Sequence, residues 1–204
     1  MAALTPPELA ALGNQIFTRQ RTFDDVGKDY PIASFIGGLT GALTMIEERV
    51  VGISEAQFHF RLPGTPEGPD WNHDEVHFNT PELVTHLTST LKAWQEALRE
   101  HGVPLPAPVE TLPPAERVTG MQGSGMGAGG RSDLTLEQTL LDLRTTRDTL
   151  VLALQGELGD YWDERYPSGF GPLTLRHYVV LMAVHSASHA FQLLELQAHP
   201  DYPA

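Results

Sequence analysis

The sequence predicts an all-α protein, a four-helix bundle with long loops after its first and second helices. Four long segments repeat apolar residues at the three- and four-residue spacing of an amphipathic helix. Several of them begin with a residue type that caps helices, and the alternating pattern of strands is scarce. The chain has 204 residues, enough for one domain with a sizeable core. We therefore expect residues 1–204 to form a single domain, with residues 1–30 as an N-terminal extension.

The first long helix is predicted from about Pro31 to Val51, where an apolar stripe recurs every three or four residues. Pro31 suits the first turn of a helix because its fixed φ angle is helical. A weaker pattern over residues 5–20 predicts a short leading helix. Residues 53–79 are rich in Pro, Gly and His and predict a long loop.

The second helix is predicted to begin near Thr80, which can cap it, with Glu82 in the first turn. Its apolar stripe is Leu83, Leu87, Leu91, Trp94 and Leu98. Residues 102–133 follow as a Pro-rich and then Gly-rich segment, which predicts a flexible loop or a functional lid. Thr135 and Gln138 form a capping box for the third helix. Residues 159–172 are predicted to be another loop before the last helix.

The last helix carries two histidines, His185 and His189, in the stretch LRHYVVLMAVHSASHAFQLLEL. Four residues are about one helical turn, so both imidazoles leave the same face. That face has the spacing of a helix buried in a bundle, with Tyr178, Met182, His185, His189, Gln192 and Leu196. A buried imidazole needs a polar partner, and one metal ion would serve both rings. The alternative is a pair of histidines that satisfy each other or face solvent.

Composition limits the classes of function. The formal net charge is −13, from 26 acidic and 13 basic residues, which argues against nucleic acid or an anionic membrane as a partner. The absence of cysteine excludes disulfides and thiolate metal ligands, so a metal would be held by His, Asp, Glu or backbone oxygen. The N-terminal MAALTPPELAAL lacks the features of a signal peptide, and no uninterrupted apolar run approaches about 18 residues. We therefore expect a cytoplasmic protein.

The order of helices, the His86 motif ELVTHL and the HSASH motif of the last helix resemble the DinB/YfiT-like family of metal-binding four-helix bundles. The resemblance extends over about residues 31–197. It is strongest in SDLTLEQTLLDLRTTRDTLVLAL and LTLRHYVVLMAVHSASHAFQLLEL. It implies that His86, His185 and His189 hold a divalent metal. Gln192 resembles the glutamine that commonly follows the histidine pair in that family.

Three imidazoles suit a divalent transition metal such as Zn, Ni or Fe, and three protein ligands leave a coordination position open. Such a metal can acidify bound water or a thiol toward neutral pH. The resemblance implies a small-molecule substrate, a homodimer, and either a low-molecular-weight-thiol S-transferase or a metal-dependent hydrolase. We prefer the transferase, because the motif has no obvious carboxylate beside it to act as a general base. The alternatives are a non-catalytic metal-binding stress-response protein and a plain bundle whose histidines satisfy one another.

A second histidine pair, a glycine-rich run and Arg147 also bear on function. His73 and His77 form a second H-x-x-x-H pattern in a predicted loop. They either face solvent or form a wall of the metal pocket. The run GSGMGAGG, from Gly123 to Gly130, contains G-x-G-x-x-G but follows no predicted strand, which indicates a linker rather than a dinucleotide site. Arg147 lies on the core side of the third helix, where it could meet an anionic substrate or a buried carboxylate, or extend to solvent from the bundle edge.

Overall fold

The computed structural model describes residues 2–63, 79–112 and 130–204. The helices are α1 (Pro6–Phe17), α2 (Phe23–Asp29), α3 (Ile32–Val50), α4 (Glu55–Phe58), α5 (Thr80–Glu100), α6 (Leu136–Leu154) and α7 (Leu175–Gln197). Between α6 and α7 lie a 3₁₀ turn (Gly159–Trp162) and the antiparallel pair β1 (Arg165–Tyr166) and β2 (Leu173–Thr174). The four long helices, α3, α5, α6 and α7, confirm the predicted all-α bundle.

The bundle core lies between these four long helices. Both α3 and α5 pack against α6 and α7, while α1 lies against α7 and α3. Leucine and other aliphatic side chains fill the interior, including Leu39, Leu43, Ile46, Leu87, Leu91, Leu98, Leu143, Leu150, Val180 and Val184, all fully buried. Burial of these apolar faces is the main stabilising contribution to the fold. The packing of α5 on α7 is what brings the histidines of the two helices together.

The predicted starts of α6 and α7 are confirmed in detail. The Gln138 N–H donates to Thr135 Oγ1 at 3.2 Å, and the Thr135 N–H donates to Gln138 Oε1 at 3.0 Å. At the start of α7, Thr174 Oγ1 accepts the His177 N–H at 3.2 Å. These bonds satisfy backbone N–H groups that have no partner inside the helix.

The predicted starts near Pro31 and Thr80 are confirmed, but each of these two residues takes a role one position away from the one predicted. The cap of α5 is Asn79, whose Oδ1 accepts the Glu82 N–H at 3.1 Å, and Thr80 is the first helical residue. Pro31 is the cap of α3 rather than a member of its first turn, because its ψ of 149° is extended. Asparagine is a better cap than threonine, and it leaves Thr80 free to be buried in the helix.

Short elements lie where loops were predicted. The stretch after α1 contains α2, capped by Thr22, and residues 53–63 contain α4, capped by Ser54. The leading helix ends at Phe17 rather than residue 20, and Arg19 takes a positive φ of 60° just beyond it. These elements were missed because four to seven residues are too few to show a helical apolar stripe.

The described part of the predicted 102–133 loop is ordered by contacts with the bundle. Residues 103–112 return along α5, where the Gln95 side chain donates to the Pro106 carbonyl at 2.8 Å. Val103 and Leu105 of this segment are buried. Residues 113–129 lie outside the described part of the chain.

A buried ion pair joins α5, α6 and the returning segment. Lys92 Nζ lies 2.7 Å from Asp142 Oδ1, and the Asp142 side chain is only 1% exposed. The Thr111 hydroxyl donates to the same carboxylate, and Glu110 lies 3.3 Å from Lys92 Nζ. The pair thus fixes the segment after α5 to the bundle.

Replacing Asp142 with alanine is expected to lower the free energy of unfolding by about 3 kcal/mol, because it leaves the Lys92 ammonium buried without its main partner. Urea denaturation measures this loss. The double variant Lys92→Met/Asp142→Leu is the control, since it removes both charges and keeps apolar volume. Equal destabilisation of the single and double variants would contradict the assignment of the loss to an unpaired charge.

Helix α7 is also long and apolar enough to cross a membrane by length and composition, with a mean hydropathy of 1.3 over its most apolar window. In the structure 67% of that window is buried within the protein. This burial is typical of the central helix of a soluble bundle.

Candidate metal centre

The structure brings all three predicted histidines together at the contact of α5 with α7. The ring centroids of His185 and His189 are 4.4 Å apart, and His86 lies 5.0 Å from His189 and 5.6 Å from His185. One ring nitrogen from each histidine can be chosen so that all three lie within 4.8 Å of one another. The triad could therefore hold a metal ion.

Two of the three rings are buried, and His185 and His189 are electrically neutral near pH 7. His86 is 6% and His189 5% exposed, while His185 is half-buried. Burial, followed by the neighbouring His86, lowers the pKa of His189 to about 3. Burial and the two neighbouring histidines hold the pKa of His185 well below its ordinary value. Neutral imidazoles keep the lone pairs that a metal requires.

Gln192 orients the His189 ring from the next turn of α7. Its Oε1 lies 2.6 Å from His189 Nδ1. A neutral imidazole that donates from Nδ1 keeps its lone pair on Nε2. That nitrogen is the one that faces His185, so the hydrogen bond presents the lone pair to the site. Metal-binding histidines commonly have such an outer hydrogen bond, which fixes the ring and its tautomer.

The spacing of the facing nitrogens fits a shared metal ion. His185 Nε2 and His189 Nε2 are 3.2 Å apart. Two nitrogens bound to one tetrahedral zinc at about 2.0–2.1 Å lie roughly 3.3 Å from each other. The donor set, three neutral imidazoles without a described carboxylate or thiolate, matches a borderline transition metal rather than calcium or magnesium.

Sequence reasoning missed the aromatic neighbour of the site. The Trp94 ring lies 5.2 Å from that of His185, edge to face, and Trp94 is 6% exposed. Its position in the apolar stripe of α5 had predicted only a core residue. An aromatic wall lowers the local dielectric and strengthens electrostatic interactions at the centre.

The segment between α5 and α6 contacts the turn of α5 that precedes His86. The Arg131 N–H donates to Thr85 Oγ1 at 2.7 Å. A Cβ at Gly130 would come within 2.1 Å of the Glu82 carbonyl oxygen, so only glycine fits this approach. Arg61, in the segment between α4 and α5, forms an ion pair with Glu82 at 2.5 Å. Residues from the segments before and after α5 thus meet at the same end of this helix.

Other candidate residues do not join the triad. Arg147 forms ion pairs with Glu47 of α3, which is only partly buried, and with the exposed Asp148, so the buried-carboxylate interpretation is not confirmed. His73, His77 and the glycine-rich run up to residue 129 lie outside the described residues.

Comparison with known proteins identifies the family of the chain. The family model of the DinB superfamily matches residues 39–193, more than half of the chain, and this range includes His86, His185 and His189. No curated protein and no solved structure matches the chain. The chain belongs to the DinB superfamily.

Proposed function

We propose that the protein binds one divalent transition metal through His86, His185 and His189 and acts as a low-molecular-weight-thiol S-transferase. The observation that carries the metal site is the meeting of three imidazoles from two helices, of which His185 and His189 are neutral near pH 7. The hydrogen bond from His189 to Gln192 adds the outer support expected of a ligand. Membership of the DinB superfamily supports metal binding as well.

The metal would supply Lewis acidity that lowers the pKa of a bound thiol. Three protein ligands leave at least one coordination position for a substrate atom, as in catalytic rather than structural zinc sites. Zinc, nickel and iron all accept imidazole ligands. In the transfer itself, the thiol sulfur forms a bond to the electrophilic carbon, the leaving group departs with its bonding electrons, and the thiol proton passes to solvent.

The surroundings of the triad favour a thiol over water as the nucleophile. Glu82 lies one turn before His86 on α5 and is the nearest carboxylate along that helix face. Its two oxygens already accept from Arg61 at 2.5 Å and from the Asn79 N–H at 3.2 Å. This carboxylate is therefore committed to the start of α5. A thiol ionised by a metal has less need of a general base than water has.

The activity is tested with protein purified without an affinity tag and loaded separately with zinc, nickel or iron. Each form is incubated with several cellular thiols and an aryl halide as a generic electrophile. We expect product formation above the free-thiol background, lost on chelation and in His185→Ala, and retained in His177→Ala, which removes a buried imidazole outside the triad.

No rate above background with any thiol would overturn the transferase proposal. Metal-dependent hydrolysis of esters or amides in the same preparation would then identify the hydrolase. A bound metal without either activity would identify a non-catalytic metal-binding protein.

A further inference from the structure

Thr90 lies on α5 between two residues that contact His185. His86 is one turn before it and Trp94 one turn after it, and their rings lie 5.6 Å and 5.2 Å from the His185 ring. Side chains four residues apart share one face of a helix. The side chain at position 90 therefore lies on the same face of α5, between the two residues whose rings contact His185.

The Thr90 hydroxyl is buried without a hydrogen bond. Thr90 is 0% exposed, and within the described ranges its Oγ1 has no hydrogen-bond partner. Thr85, five residues earlier, shows the usual solution: its hydroxyl donates to the Pro81 carbonyl of its own helix at 2.7 Å. A buried hydroxyl with no partner destabilises the fold, and its presence in a native protein calls for an explanation.

Among the residues that the structure describes, His185 has no counterpart of the outer hydrogen bond that His189 makes. His189 Nδ1 contacts Gln192, which leaves its Nε2 facing the site. His185 also directs Nε2 into the site, at 3.2 Å from His189 Nε2. Among the described residues no hydrogen bond joins its Nδ1 to a protein group. Metal-bound histidines almost always donate their second N–H to a fixed acceptor.

We propose that Thr90 is a positioning residue for the metal site, whose hydroxyl accepts the Nδ1–H of His185 when the metal is bound. The inference rests on the proposed metal site and deepens it. Thr90 then does for His185 what Gln192 does for His189, and the pairing gives the buried Thr90 hydroxyl a hydrogen-bond partner. Thr90 contacts neither metal nor substrate in this assignment.

The test compares Thr90→Val with Thr139→Val, both measured for zinc affinity by chelator competition and for the visible absorption of bound Co²⁺. Thr139 is the matched control because it is also 0% exposed, its hydroxyl also lacks a partner among the described residues, and it lies on α6. Valine keeps the shape of threonine and removes only the hydroxyl. We expect Thr90→Val to weaken zinc binding roughly 10- to 100-fold and to shift the Co²⁺ bands, as loss of outer hydrogen bonds does at other metal sites. Thr139→Val should leave both unchanged.

Thr90→Ser restores the hydroxyl and should return the affinity to that of the unaltered protein. Zinc affinity of Thr90→Val equal to that of the unaltered protein, or lowered no more than in Thr139→Val, would overturn the inference and leave the metal site standing. Failure of serine to restore affinity would also overturn it. Failure of the unaltered protein to bind zinc, cobalt, nickel or iron would overturn the proposed function itself.

Discussion

Replacing His185 with alanine is expected to weaken zinc binding roughly 10²- to 10³-fold. Structural zinc sites with four ligands have apparent binding free energies of about 10–16 kcal/mol, or about 3 kcal/mol for each ligand. The two rings left in the variant, His86 and His189, retain a centroid separation of 5.0 Å but cannot complete the triad. Competition with a chelator of known affinity, on protein without an affinity tag, measures the change.

His177→Ala is the matched control for this experiment. His177 is 6% exposed, as buried as His86, but its Nε2 contacts Asp24 at 3.1 Å and its ring is not part of the triad. Its loss should reduce stability and leave zinc affinity unchanged. Zinc bound by His185→Ala as tightly as by the unaltered protein would show that the metal, if bound, lies elsewhere.

In the metal-free protein, the free energy of unfolding is expected to fall between pH 8 and pH 5, by about 2 kcal/mol through His189 and in the same direction through His185. Burial is the main cause that lowers the pKa of His189 from 6.5 to about 3 and that of His185 well below 6.5. The unfolded chain ionises both rings near pH 6.5. Below that pH it therefore binds protons that the folded protein does not.

The sign follows from this difference in proton binding. The contribution of the two neutral rings is complete above pH 6.5 and is lost as the pH falls toward their folded pKa values, with a loss of about 2 kcal/mol for His189 by pH 5. Urea denaturation of chelator-treated protein at several pH values measures it. The double variant His185→Gln/His189→Gln should lose most of this pH dependence. An identical pH profile in the variant would assign the effect to other groups.

The histidine pair of α7 was predictable because its spacing equals one helical turn. The same spacing places His185 and His189 on one face of the helix whatever the rest of the chain does. The third residue was different: only the packing of α5 on α7 brings His86 to within 5.0 Å of His189. No sequence period encodes that contact, so His86 was identified through the family resemblance alone.

The supporting residues were harder to predict. The role of Trp94 depends on which face of α5 meets α7, and the role of Thr90 depends on a hydroxyl that makes no bond to its own helix. Glu82 was placed correctly in the first turn of its helix. Its ion pair with Arg61, 21 residues earlier, depends on how the segment between α4 and α5 folds back on α5, which sequence patterns do not determine.

The fold was predictable to the extent that its elements are long. Helices of 19 to 23 residues show several turns of apolar repeat, whereas α2 and α4, with seven and four residues, depend mainly on their caps and on packing. The segment after α5 was predicted as loop, and its described part has no helix or strand, but the Lys92–Asp142 ion pair that fixes it joins residues 50 positions apart. Such contacts are set by tertiary packing.

The central claim is that three imidazoles from α5 and α7 share one metal ion. X-ray absorption at the zinc edge, on protein without an affinity tag and with one zinc per chain, tests it most directly. We predict three imidazole nitrogens at about 2.0–2.1 Å and the loss of one of them in His86→Ala. Fewer than three imidazoles in the unaltered protein, or an unchanged spectrum in His86→Ala, would contradict the claim.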